Sequence, residues 1–534
     1  MAEKVFIIGF DGASYDLIEK WASAGILPNF KKVMSEGVYG PLRTTIPPLT
    51  PCAWNSMVTG NNPGKHGVYD FTRLDENGSL KFNNSSQVRS PKIWNYLDRK
   101  DLKSLVFNVP FTYPASKING IMITDFTTPS IDSEFTYPQD LKSHILDNYK
   151  DFRISEGVRY SENMADKLSY LKSCFDTDNV KLSILTDLLK KERYDFVMFT
   201  FMFIDHIQHF YWKYMDESHP FYEHDDNLSS SIMDAYKRAD EILGTLMEAY
   251  KEYNFIVVSD HGAGPYFMDI SMNKWLADNG YLFFKKSRNP LKMITNAIGI
   301  DFFVSKLVNL GLLNKLKKIS FLKKTFAMSY EDIDWKRTKA YSFGYYAPIY
   351  LNKKLIETEE EKKRTEDDII DGLNKIEDPF SKQPIIKQIW KKSDLYSGSM
   401  VGSLPDIIMN IGDFAYCSSS EMVMSSNQLF SKPKTFKSGD HRMNGIFMAY
   451  GPDFKKGTNV KDANIIDIAP TVLHMFGIQI PGDVDGKVLK HAFKSESHAE
   501  KSVDLEQAEA SYTSTTKEEE NFLKQRLKDL GYLG

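Results

Sequence analysis

Cysteine is scarce in this sequence. Among 534 residues there are three, Cys52, Cys174 and Cys417. They lie far apart, are odd in number and form no CxxC pair, which argues against a disulfide framework and for a reducing compartment. Long apolar runs are missing too. The run Val5–Phe10 is broken by Asp11, so it is too short for a signal-peptide core, and no cleavage site follows it. No stretch approaches the roughly 18–20 apolar residues of a spanning helix. Neither sign of charge dominates: 67 Lys and Arg stand against 71 Asp and Glu, a net charge of −4. That balance gives no reason to expect general nucleic-acid binding. There is no internal repeat. A soluble, cytoplasmic globular chain is the expectation.

What is present is ordinary in bulk, with 42% hydrophobic and 26% charged residues. The length exceeds one minimal core, so a large core with insertions, or two domains, is expected. "KVFIIGF", "SLVFNVP", "YDFVMFTF", "NFIVVSD", "PDIIMNI" and "GIFMAYG" are short apolar runs that read as buried strands. Amphipathic stretches alternate with them, among them "YDLIEKWASAG", "NVKLSILTDLLKKE" and "IMDAYKRADEILGTLMEAYKEY". The alternation predicts an α/β fold whose sheet is covered on both faces. Ligands in such folds collect beyond the carboxyl ends of the strands.

The main domain is expected over residues 1–495. Two insertions interrupt it, a polar, irregular one at about 125–185 and a basic, amphipathic one at about 280–330. A polar linker at 496–517 leads to a short helix at 518–534.

The chemically suggestive residues fall at the strand ends. Asp11 follows the first strand, Asp205 lies just beyond "FVMFTF", and Asp260 with His261 ends "FIVVSD". In "DHIQH", Asp205 and His209 are four residues apart and share a helix face, which turns His206 elsewhere. His441 precedes "GIFMAYG". Each alone reads as readily as a satisfied polar residue. Together Asp11, Asp205, His209, Asp260, His261 and His441 supply three carboxylates and three imidazoles, a set that suits two divalent cations, zinc first and manganese second.

Thr50 stands in "TIPPLTPCAWNSMVTG", just before Pro51 and a helix-like run closed by Gly60. It reads as a helix N-cap worth ~1 kcal/mol. The same position favours an alkoxide and a bound phosphoryl group, and one of the two metals would lower the pKa of its hydroxyl.

These residues, in this order, resemble the alkaline phosphatase superfamily, in its type I phosphodiesterase/nucleotide pyrophosphatase branch, closest to its predicted phosphohydrolases and phosphomutases. "GFDGASYDLIEKW", the long stretch through Thr50, "DHIQH", "VVSDHGAG" and "GDHRMNGIFMAYGPDFKKG" carry the resemblance. It implies a three-layer α/β/α sandwich with a mostly parallel sheet and cap insertions. It implies Thr50 as nucleophile, one metal at Asp11, Thr50, Asp260 and His261, and a second at Asp205, His209 and His441. The implied reaction is hydrolysis of a small anionic phosphate ester, a diester ahead of a monoester, through a phospho-threonine. A phosphotransferase or phosphomutase would use the same nucleophile and metals. A non-catalytic metal-binding protein of the same fold is the rival from another class.

Two departures accompany the resemblance. Where the nucleotide pyrophosphatases place a phosphate-contacting asparagine, this sequence has Phe71, with Asn55, Asn61 or Asn62 as candidate substitutes. Cys52 is followed by "AWNS" and lacks the C-x-P-x-R maturation motif of sulfatases, so it reads as a small buried residue. The basic insert reads either as a structural cap with a solvated face or as a surface that draws in an anionic substrate or rests on an anionic membrane.

Overall fold

The computed structural model describes residues 4–75, 78–285, 330–418, 428–494 and 516–533. Its centre is a ten-stranded sheet. Val5–Phe10 pairs in parallel with Phe196–Phe201 on one side and Asn254–Val258 on the other. Ser104–Phe107 and Gly120–Ile123 continue the parallel order, and Thr136–Tyr137 closes that edge antiparallel. On the other flank, Asn444–Tyr450 runs antiparallel between Asn254–Val258 and Val38–Arg43.

The strands read as continuous apolar runs because both faces are covered. Phe6, Ile8 and Phe10 pack into one core with the helices Tyr15–Ser23, Phe203–Met215 and Ser231–Ala249. Val5 and Ile7 point into a second core with the helices Thr50–Thr59, Ile93–Asp98 and Ile468–Met475. This is the expected α/β/α sandwich.

Two features differ from the sequence reading. "PDIIMNI" forms Ile407–Ile411, which lies outside the central sheet. It joins Ala340–Ser342, Ile349–Leu351 and Ile386–Lys391 in a four-stranded antiparallel sheet with a core of its own. An apolar run specifies a strand but not which sheet it enters. The polar stretch at 125–185 also holds the start of a 28-residue helix, Met164–Lys191. Its inner face buries Lys167, Thr177, Asp178 and Lys181 beside Tyr170 and Ile184, which blurs the apolar period.

Most of the basic insert, 286–329, and most of the linker, 495–515, lie outside the described residues. The last helix spans Lys517–Asp529 and opens with a capping box between Thr516 and Glu519. Among the described residues no helix is long and apolar enough to cross a membrane.

Candidate active site

All seven residues singled out in the sequence meet at the carboxyl end of the central sheet, and none is more than 1% exposed. Asp11 leaves the strand Val5–Phe10 into a tight turn at Gly12, where φ is +69°. A Cβ on Gly12 would lie 2.8 Å from Asp205 Oδ1, so the close approach of the two loops requires glycine. The Gly12 amide donates to Asp260 Oδ1 at 3.2 Å. Asp205 and His209 sit four residues apart on Phe203–Met215. His441 lies in the short strand Gly439–Arg442, opposite Ala263 of Gly262–Pro265.

Thr50 is one position further into its helix than expected. Leu49 is the N-cap, with φ −126° and ψ 128°, and Thr50 is the first helical residue. Its hydroxyl caps no backbone amide and stands 3.3 Å from His261 Nε2. Thr-Pro fits the first two helical positions as well as cap and first turn.

The three imidazoles share one arrangement. His209 Nδ1 lies 3.0 Å from Gly439 O, His261 Nδ1 3.0 Å from Gly262 O, and His441 Nδ1 2.7 Å from Pro48 O. A carbonyl oxygen only accepts, so in each ring Nδ1 carries the proton, and in the neutral ring the Nε2 lone pair faces inward. His209 Nε2 and His441 Nε2 are 3.2 Å apart, and the rings of His261 and His441 stack at 3.5 Å. Burial, with His261 close by, holds His441 well below the ordinary histidine range, so its ring is neutral.

The carboxylates complete the ring of acceptors. Trp54 Nε1 donates to Asp11 Oδ2 at 2.8 Å. Asp11 Oδ1 and Asp260 Oδ2 are buried with no hydrogen-bond partner among the described residues. Burial, aided by Asp260 and Asp205, pushes the Asp11 carboxyl well above its usual range. Burial likewise lifts Asp260 to about 6. Asp205 goes the other way: burial opposes its charge, but the adjoining His209 brings it well below the carboxylate range. Its oxygens lie 3.2 Å from His209 Nε2 and 3.6 Å from His441 Nε2.

This donor set fits divalent cations. Asp11, Asp260 and His261 converge within 4.8 Å, as do Asp205, His261 and His441, and His209, Asp440 and His441. Buried oxygen atoms and inward nitrogen lone pairs without protons between them are costly unless a cation lies among them.

Other residues at the site were not singled out from the sequence. Asp440, beside His441, accepts from Tyr345 Oη at 2.6 Å and lies 3.5 Å from the buried Lys437 Nζ. Its neighbour His441 is its only sequence signal. Tyr532 donates its phenol to Asp205 Oδ2 at 2.5 Å, and nothing in "LGYLG" announced it. Phe71, at the position of the expected asparagine, packs on Tyr532 with ring centroids 4.8 Å apart. The three substitutes are engaged elsewhere: Asn55 donates to Pro51 O, Asn61 to Ser90, and Asn62 caps a short helix and binds Asp485. His206 turns away to Glu156 at 2.7 Å. Cys52 is fully buried, its thiol pushed up to about 12 by burial.

The sheet and the convergent acidic and imidazole groups make this an α/β/α protein with a buried cluster able to hold divalent cations at the carboxyl ends of its strands. The profile of the type I phosphodiesterase/nucleotide pyrophosphatase family matches residues 5–430, and the chain belongs to that family. It is therefore a phosphodiesterase/pyrophosphatase-class enzyme. Among solved structures it is similar to human ectonucleotide pyrophosphatase/phosphodiesterase 5, at 15% identity over 92% of this chain and 100% of that one, with a TM-score of 0.49. The murine protein, at 14% identity, covers 90% of this chain and 96% of its own, with a TM-score of 0.48. An inactive murine variant in complex with AMP is similar at 15% identity over the same shares, with a TM-score of 0.48. A search of curated proteins found no match.

Proposed function

We propose that this enzyme cleaves a phosphate ester, a diester ahead of a monoester, with Thr50 as nucleophile and two divalent cations, zinc or manganese. Asp11, Thr50, Asp260 and His261 would hold one cation, and Asp205, His209 and His441 the other. Bound there, such cations supply Lewis acidity that stabilises charge on phosphoryl oxygens. The observation that carries the reading is the set of inward Nε2 atoms and donor-free carboxylate oxygens around an uncapped threonine hydroxyl.

The chain's own residues do the rest. Thr50 Oγ1 attacks phosphorus; the bond to the departing oxygen breaks, and the alcohol leaves with a proton. The helix N-terminus at Thr50 favours the negative charge that gathers there. The backbone carbonyls behind the three histidines fix their tautomers and keep their rings from turning. Water then cleaves the phospho-threonine, releasing phosphate or a phosphomonoester and restoring the hydroxyl.

The test is a panel of aryl diesters, aryl monoesters and nucleotide diesters, assayed after reconstitution with zinc or manganese. Nucleotides belong in it because the family is that of the nucleotide pyrophosphatases. Turnover of a diester with incorporation of one phosphoryl group at Thr50 is expected. A fully loaded protein inert on the whole panel would sink the reading. Product analysis with added alcohols separates hydrolysis from transfer.

A further inference from the structure

The seven site residues are at most 1% exposed, so no ester reaches Thr50 with the chain arranged as it stands. The segment Thr516–Leu533 packs over part of this site and places Tyr532 against Asp205, His209 and His441. Leu523, Leu527, Leu530, Tyr532 and Leu533 are buried in one apolar cluster that also holds Leu49, Phe71, Phe111 and Phe126. Arg526 fixes the helix from the side: it donates to the carbonyls of Phe126, Thr128 and Pro129. At Gly531 the chain turns with φ +82°, and the Tyr532 amide bonds back to Leu527 O at 2.8 Å.

That turn sends Tyr532 into the site. Its hydroxyl donates to Asp205 Oδ2 at 2.5 Å, and its ring lies 5.4 Å from the His209 ring and 4.8 Å from Phe71. The Lys437 ammonium stands 5.2 Å from the ring centre. An aromatic ring bonded to an oxygen beside Asp205, wedged against Phe71, has the form of an aryl alcohol in a leaving-group pocket.

We propose that Thr516–Leu533 is an intrasteric plug: Tyr532 occupies the pocket meant for the organic group of the ester, and the segment must withdraw for substrate to enter. What the plug blocks rests on the reading of Thr50 and the metals; whether it covers the histidines does not. Withdrawal would uncover an apolar wall including Phe71, Phe111 and Phe126, which fits an ester whose organic group is aromatic or apolar.

The test uses the full-length, metal-free chain treated with diethyl pyrocarbonate, with each histidine followed by mass spectrometry. In the variant Arg526→Ala/Leu527→Ala, His209 and His441 should be modified about tenfold faster than in the wild type, as a weakly docked segment opens more often. His66, buried and bonded to Ser56, should not change, and the exposed His224 calibrates the reagent. Unchanged rates at His209 and His441 overturn the plug. If His66 also speeds up, hydrogen exchange in the wild type decides. Residues 517–533 should exchange faster than Phe203–Met215, and exchange only together with that helix overturns the proposal. With metal restored, the same variant should show a lower KM for an aryl diester. Faster labelling without any turnover, in variant and wild type alike, would fault the reading of Thr50 and leave the plug standing.

Discussion

The Nε2 atoms of His209 and His441 face each other at 3.2 Å across 232 residues of sequence. Each ring has committed its Nδ1 proton to a backbone carbonyl, Gly439 O and Pro48 O respectively. No proton is left to bridge the two nitrogens while the rings are neutral, so two lone pairs meet in a buried place. Asp205 adds a carboxylate 3.2 Å from one and 3.6 Å from the other. A cation satisfies all three groups at once, which ties the fold to the proposed chemistry.

Thr50→Ala should lower kcat/KM by about a thousandfold or more. Its hydroxyl caps no amide, so the melting temperature should stay close to that of the wild type. Thr50→Ser should keep part of the activity. A Thr50→Ala protein that turns over at the wild-type rate, checked on metal-loaded samples, would remove the nucleophile from the scheme.

Elemental analysis of reconstituted protein should approach two divalent ions per chain. His209→Ala and His441→Ala should each reduce the same ion, and Asp260→Ala the other. Saturation at a single ion in the wild type would contradict the two-cation reading.

Asp70, next to Phe71 and bonded to the Tyr345 amide, gives a pH dependence of stability. Burial raises its carboxyl from 3.8 to about 6, and the backbone amides of Tyr345, Phe71 and Thr72 only partly offset this. A raised folded value means that the folded state holds the proton more tightly. The stability this confers is full below pH 3.8 and is lost as pH rises through about 6. Asp70→Asn should therefore gain on the wild type as pH rises from about 4 to 6.5, by on the order of 2–3 kcal/mol. Denaturant melts at several pH values measure the gap; a gap that is flat with pH would refute the assignment.

Lys437 and Asp440 are a fully buried pair, Nζ to Oδ2 3.5 Å. Burial opposes the Asp440 charge, but the Lys437 ammonium foremost holds its carboxyl well below the usual range. Lys437→Met should cost about 3–5 kcal/mol by leaving that charge without its cation. Lys437→Met/Asp440→Asn should recover much of the loss. Equal stability of the single and double variants would show that the pair is not coupled.

Much of the sandwich was legible because a strand covered on both faces must be apolar at every position. Phe6, Ile8 and Phe10 serve one layer while Val5 and Ile7 serve the other. The candidate site was legible for a related reason: a carboxylate directly after such a run, as at Asp11 and Asp260, is placed at the sheet's carboxyl edge by the strand itself. The i, i+4 spacing of Asp205 and His209 did the same on a helix. Local rules misplaced Thr50 by one residue, since proline is accepted at either of the first two helical positions. They also missed the buried polar face of Met164–Lys191, where Lys181 lies 3.9 Å from Asp178 instead of meeting solvent.

By itself, then, the sequence determined the strands, the layers and the chemical types gathered at the strand ends, because each depends on residues a few positions apart. Tertiary structure alone decided that Ile407–Ile411 enters a second sheet and that Tyr532 reaches Asp205 across 327 residues. Those pairings depend on which surfaces meet once the chain has closed, and the spacing of neighbouring residues carries no record of them.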